Sequence, residues 1–180
     1  TNDVYNSKKI KKIVLKKDQK ILCAKYRKNH FEGVLNIMDR FTRLIDPKYI
    51  FMGEKDYQQL FLIKNFIEKK YRSKIYPCKT IRDKNYLALS TRNFLLHKTN
   101  LIKAGFIARE LSNIKKKIPY QKKNQQYILK IKKYLQKKYK IKIEYLESRN
   151  EKDLKTYMKK NKFRLFIAYY INKVRLIDNF

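Results

Sequence analysis

Apolar and polar positions along this chain change period several times, and each change marks an element. Val34, Ile37, Met38, Phe41, Leu44 and Ile45 recur three and four apart, the pattern of an amphipathic helix, whose apolar side ordinarily faces a core. That helix must stop at Asp46-Pro47, because proline lacks an amide donor and restricts the residue before it. The apolar run Tyr49 to Met52 predicts a short buried strand. Leu60, Ile63 and Ile67 then return to helical spacing as far as about Lys70, and a second short strand follows near Lys74 to Cys78. Strand, helix and strand in that rhythm predict a βαβ unit with a parallel sheet and a right-handed crossover. Upstream, Ile13, Val14 and Leu15 have the composition of one more strand.

From Thr99 the pattern is different. Ala104, Ile107, Leu111, Ile114 and Ile118 form a helical stripe that ends at Pro119. Ile128, Ile131 and Leu135 form another inside a run of lysines, which solvated helix faces explain. Ile141, Ile143 and Tyr145 alternate, Phe163 to Tyr170 reads as a buried strand, and Val174 to Ile177 as one more. Asn172, in the turn before Arg175, tolerates a left-handed backbone. Helices followed by strands predict a small α+β domain after the α/β segment.

Candidate chemistry sits at the joints of this pattern. Gly53-Glu54-Lys55-Asp56-Tyr57-Gln58-Gln59-Leu60 follows the first strand and opens a helix, the layout of a nucleotide site in an open α/β sheet. Gly53 allows close backbone approach, and Lys55 and Asp56 offer a phosphate donor and a hydroxyl acceptor within one turn. The same residues also fit a solvated helix cap. Ser90, Thr91 and Arg92 present two hydroxyls and a guanidinium in succession, suited to phosphate oxygens, or to a polar turn before a helix. Arg27 and His30 flank a polar loop just before the first long helix, where the His30 ring either faces a pocket or packs locally.

Composition changes the picture less than its size suggests. The formal net charge is +32 on 180 residues, which by itself points to nucleic acid. Of 47 basic residues, however, 37 are Lys and 10 are Arg. The abundant Lys, Asn, Ile, Tyr and Phe all have A/T-rich codons, so genome bias accounts for the charge, and readers of bases and phosphates favour Arg forks. No nucleic-acid partner is expected. Cys23 and Cys78 have no metal-type spacing, as for buried free thiols in a reducing compartment. The apolar run Leu165 to Ile171 is too short to span a bilayer and no signal-peptide pattern opens the chain, so no membrane and a cytoplasmic location are expected. The first residue is not Met, as in a fragment or a processed product.

Four strings occur in one order: His30-Phe31-Glu32-Gly33-Val34, Gly53 to Leu60, Leu87-Ala88-Leu89-Ser90-Thr91-Arg92-Asn93, and Arg175-Leu176-Ile177-Asp178-Asn179. Together they resemble the pantothenate synthetase family, AMP-forming ligases that join pantoate to β-alanine, from about Leu22 to Phe180. The resemblance implies an α/β fold of the HIGH nucleotidyltransferase type. Residues 1–81 would form the C-terminal part of a Rossmann-like nucleotide- and pantoate-binding domain, and residues 82–180 a small α+β lid. It implies ATP and Mg²⁺ as cofactors, pantoate and β-alanine as substrates, and a homodimer. Lys55 is then placed at the α-phosphate, Ser90, Thr91 and Arg92 at the outer phosphates, and Gly53 and Asp56 at the ribose, with Glu54 beside them. Gln59 is placed at pantoate, backbone groups of Ile81 and Leu89 at adenine, and Arg27 and His30 in the substrate pocket. Lys55 and Arg92 carry the catalysis, and no metal ligand is assigned.

Three departures stand out. Thr91 replaces a usual serine, keeping the hydroxyl. Asn85-Tyr86 replaces a usual Asp-Gly, and losing that glycine predicts a displaced loop before the phosphate residues. The HIGH-type histidines, the glutamine-bearing loop and the acidic residues of the family's first half are missing here, which raises an inactive fragment or one half of a split enzyme as the rival reading. A basic nucleic-acid-binding module is the other, and its affinity would fall steeply with salt.

Overall fold

The computed structural model describes residues 13–157 and 162–180. The chain divides into two compact units, one ending at Lys79 and the other beginning at Thr80.

The first unit contains a one-turn helix α1 (Cys23–Tyr26), α2 (His30–Ile45), β1 (Tyr49–Gly53), α3 (Tyr57–Lys70) and β2 (Lys74–Cys78). The two strands pair in parallel, with Tyr49 opposite Lys74 and Gly53 opposite Cys78, as the βαβ rhythm predicts. Helix α3 packs on both strands and buries Leu60, Leu62, Ile63 and Ile67. Helix α2 ends as expected: Asp46 takes φ 45 and its amide donates to the Thr42 carbonyl at 2.9 Å.

Three expectations for this unit change, and one helix face stands open. Ile13 to Leu15 form no strand; Leu15 is buried and Val14 exposed in an irregular segment. The apolar stripe of α2 does not face a core. Phe31, Leu35 and Thr42 are buried, while Phe41, Leu44 and Ile45 are exposed, Ile45 to 68 %. Strand β1 alternates between exposed and half-buried positions instead of being buried, because α3 covers one side of the two-stranded sheet and Tyr49, Phe51 and Tyr76 lie open on it, Phe51 at 69 % exposure. Their rings touch, Tyr76 standing 5.2 Å from Tyr49 and 5.7 Å from Phe51. Parallel sheets are ordinarily covered on both faces. Finally, Cys23 is a buried free thiol but Cys78, at the end of an edge strand, is exposed.

The second unit holds α4 (Lys98–Lys117), α5 (Asn124–Tyr139), β3 (Lys142–Asn150), β4 (Phe163–Ile171) and β5 (Val174–Asn179). The strands form an antiparallel sheet in the order β3-β4-β5. Central β4 is flanked by both others, so its run Leu165 to Tyr169 is buried without alternation. On the helices the predicted stripes are the buried ones: Ala104, Ile107, Leu111 and Ile114 on α4, Ile128 and Leu135 on α5. They join Ile118, Leu146, Ile167, Ile171 and Leu176 in one core, each large side chain contributing about 1.5–3 kcal/mol by leaving water. Pro119 lies in the 3₁₀ turn that ends α4. A bulge between Ile143 and Tyr145 shifts the phase of β3, so the alternation read from Ile141 is interrupted there. Asn172 takes φ 52 in the two-residue loop between Ile171 and Val174, the left-handed turn its side chain permits.

Candidate nucleotide site

In the first unit Gly53 to Asp56 stand at the carboxyl end of β1. Gly53 ends the strand with φ −68, an ordinary extended backbone. A Cβ on it would meet nothing within 4 Å, so the space beside the strand end is open. Glu54 to Asp56 make one 3₁₀ turn that feeds directly into α3. Lys55 Nζ lies 3.8 Å from Asp56 Oδ1, with Lys55 20 % and Asp56 50 % exposed. Asp56 occupies the N-cap of α3, yet its carboxylate makes no capping hydrogen bond. A residue placed there only to cap the helix would bond an amide of the first turn; this carboxylate remains available to another donor.

Gln59 is half-buried on α3, and its neighbour Gln58 is the buried one. Gln58 Nε2 donates to the carbonyls of Ile21 at 2.7 Å and Gln19 at 3.4 Å, tying the segment before α1 to the start of α3. The sequence reading missed Gln58, since two adjacent glutamines differ only in which side of the helix they face. Arg27 caps the end of α1 through its amide. His30 is the first residue of α2, half-buried, with its ring 5.0 Å from that of Phe31.

In the second unit, Ile81 to Leu89 form a tight hairpin. Arg82 bridges Ala88, the Asp83 amide donates to Leu87, and the Leu89 amide donates to the Ile81 carbonyl at 3.0 Å. That bond occupies the Leu89 donor; Leu89 is 54 % and Ile81 70 % exposed. Ser90 then caps the 3₁₀ turn Thr91–Leu95, its Oγ accepting from the Arg92 amide at 3.3 Å. Thr91 is exposed. Arg92 is held from behind: its Nη1 donates to the Arg175 carbonyl at 3.0 Å. Asn93 donates to the Ala88 carbonyl at 3.0 Å.

What fixes this hairpin is a largely buried ion pair, of which the motif strings contain only Asp178. Arg82 donates to both Asp178 oxygens, at 2.7 and 2.9 Å, and also to the carbonyls of Tyr86 and Asn179. Its guanidinium lies 4.8 Å from the Tyr86 ring and 4.7 Å from the Phe180 ring. Tyr86 itself adopts φ 74, the backbone a glycine would supply, and Asp83 Oδ1 accepts from the amides of Asn85 and Leu87 at 2.9 Å each. The Tyr86 hydroxyl shares a 3.1 Å hydrogen bond with Ser112 Oγ. Gly105 on α4 makes room for the loop, since a Cβ there would stand 2.4 Å from the Asn85 carbonyl oxygen.

The whole chain, residues 1–180, matches the family described as pantoate-beta-alanine ligase. The chain belongs to the pantoate-beta-alanine ligase family. A pantothenate synthetase of Flavobacterium psychrophilum is 35 % identical over 164 residues, covering 87 % of this chain and 56 % of that protein. One from Leptospira interrogans is 37 % identical over 163 residues, covering 89 % and 57 %. This chain thus spans little more than half the length of those ligases. A Francisella tularensis pantoate-beta-alanine ligase, solved in complex with beta-gamma ATP and beta-alanine, superposes with a TM-score of 0.74 at 30 % identity, over 99 % of this chain and 61 % of that one. A pantothenate synthetase of Thermus thermophilus gives a TM-score of 0.81 at 22 % identity, over 99 % and 66 %, which supports the fold. The family fold is the one described above, a parallel α/β part followed by a small antiparallel domain. No helix among the described residues is long and apolar enough to cross a membrane.

Proposed function

We propose that this chain supplies the nucleotide-binding strand end and the closing domain of a ligase that forms pantothenate from pantoate and β-alanine. The observation that carries this reading is the family match over residues 1–180, with Gly53 to Asp56 standing at the carboxyl end of a parallel strand, where ligands of α/β folds bind. A pantoate carboxylate oxygen attacks the α-phosphorus of ATP and pyrophosphate leaves. The β-alanine amine then attacks the acyl carbon of the adenylate, AMP leaves with the bond electrons, and the amine proton passes to solvent.

Each step concentrates negative charge, and positioned cations lower its cost. Lys55 serves the α-phosphate, while Ser90, Thr91 and Arg92 hold the outer phosphates. Gly53, Glu54 and Asp56 line the ribose, the open space at Gly53 and an Asp56 carboxylate that caps no helix amide supporting this. Backbone groups of Ile81 and Leu89 take the adenine edge. Gln59 holds pantoate, with Arg27 and His30 in the substrate pocket. Among the described residues no three His, Cys, Asp or Glu side chains gather as a metal cage. Mg²⁺ would ride on the phosphate oxygens with no protein ligand assigned; when bound it would neutralise triphosphate charge. A homodimer in the cytoplasm completes the proposal.

The test is pantothenate formation from pantoate, β-alanine and ATP, followed by mass spectrometry. Lys55→Ala and Arg92→Ala should each cut the rate by about two orders of magnitude or more with unchanged circular dichroism. Wild-type rates in both variants would remove the phosphate-site assignment.

A further inference from the structure

Within the second unit, a cleft of about 400 Å³ opens between the hairpin, the end of α4 and the start of β4. Its walls carry Tyr86, Ser112, Lys115, Lys116, Phe163 and Phe180, with Arg82 behind them. None of these residues is assigned to the ligase reaction above.

Two kinds of surface meet there. Phe163, stacked 4.0 Å from Tyr157, offers a fixed ring, and the Tyr86 and Phe180 rings are fixed by the Arg82 guanidinium between them. Beside them stands Lys115, with Nζ 5.6 Å from the Phe163 ring centre. The lysines after Ile114 read from sequence as a solvated face, but Lys115 is half-buried. Burial first, and the Arg164 guanidinium second, push its ammonium below the ordinary lysine pKa. The nearby carboxylate Glu151 is engaged with Arg164 at 3.2 Å. Lys115 is therefore a partly desolvated cation on an aromatic wall, with Lys116 and whichever of the paired Ser112 and Tyr86 hydroxyls accepts the bond between them as further donors. A flat ring stacking on such walls and a dianion reaching Lys115 would satisfy both features.

We propose that this cleft binds a small phosphate ester carrying a flat aromatic ring, at a site separate from the Gly53–Asp56 and Ser90–Arg92 residues. The site stands whether or not the chain is a ligase.

Phenyl phosphate is the probe, titrated into the isotopically labelled full chain and followed by amide chemical shifts and calorimetry. Shifts centred on Ser112, Lys115 and Phe163 are expected, with phenyl phosphate binding at least tenfold tighter than inorganic phosphate. Lys115→Met should weaken binding about tenfold and Lys115→Arg should restore it, whereas Lys55→Ala and the remote Lys137→Met should leave it unchanged. Equal weakening by Lys137→Met would reduce the effect to the chain's overall charge and overturn the proposal. So would shifts centred on residues 53–56 or 89–92, or equal affinity for inorganic phosphate. Circular dichroism of each variant separates lost binding from lost fold.

Discussion

Tyr86 sets a sharp problem, because a bulky residue holds a backbone that favours glycine. A left-handed non-glycine residue costs about 1–2 kcal/mol. Two contacts offset it here: the ring against the Arg82 guanidinium at 4.8 Å, worth about 0.5–2 kcal/mol, and the hydroxyl on Ser112 at 3.1 Å, worth about 0.5–1.5 kcal/mol. Tyr86→Ala removes both contacts and keeps the strain, so it should destabilise by about 1–3.5 kcal/mol on those two magnitudes. Tyr86→Gly removes the contacts and the strain together. Glycine's freer unfolded chain returns about 0.4–1 kcal/mol of the gain, leaving the glycine variant roughly 0.5–1 kcal/mol more stable than the alanine variant. Urea unfolding, with hydrogen exchange of the Ile167 and Ala168 amides in central β4 as reporter, measures the difference. Alanine equal to or better than glycine would refute the account of strain offset by contacts.

Other outcomes follow from the same geometry. Gly105→Ala should destabilise by about 1–3 kcal/mol despite alanine's better helix propensity, since its Cβ collides with the Asn85 backbone; a rise in melting temperature would contradict the packing described. Asp178→Asn leaves the Arg82 guanidinium, 15 % exposed, without its bidentate partner, and should cost about 3 kcal/mol by urea unfolding. Glu110 is pushed up by burial but pulled down further by hydrogen bonds from Tyr139, Lys138 and Tyr134, leaving its pKa lowered. Its stabilisation is thus complete above the unfolded carboxylate pKa and lost as pH falls through the lower folded value. Glu110→Gln should flatten that acid branch in melting curves, and an unchanged slope would count against the α4–α5 link.

Much of the second unit was legible because its residues carry their own boundaries. The stripes of α4 and α5 become core, Pro119 ends a helix, Asn172 turns a hairpin, and the uninterrupted run of β4 fits a strand flanked on both edges. The first unit shows where periodicity stops informing. Spacing reveals which side of α2 is apolar, but not whether anything covers it, and Ile45 and Phe51 are open. The candidate site was legible as strings, whereas the parts that hold it in place were not. Arg82 and Asp178 lie 96 positions apart, too far for any local pattern to pair them. Tyr86 takes a backbone that favours glycine, and its side chain brings contacts that the glycine rule does not count.

The open aromatic face of the first unit has a consequence for how the protein behaves at high concentration. Molecules bearing Tyr49, Phe51 and Tyr76 on one surface attract each other at contact, while +32 charges repel them at longer range. At an ionic strength of about 0.01 M the repulsion reaches roughly 30 Å and at about 1 M only roughly 3 Å. Salt should therefore push the solution toward clustering: the second virial coefficient from light scattering should change from positive to negative as sodium chloride is raised, and Phe51→Lys should delay the crossing.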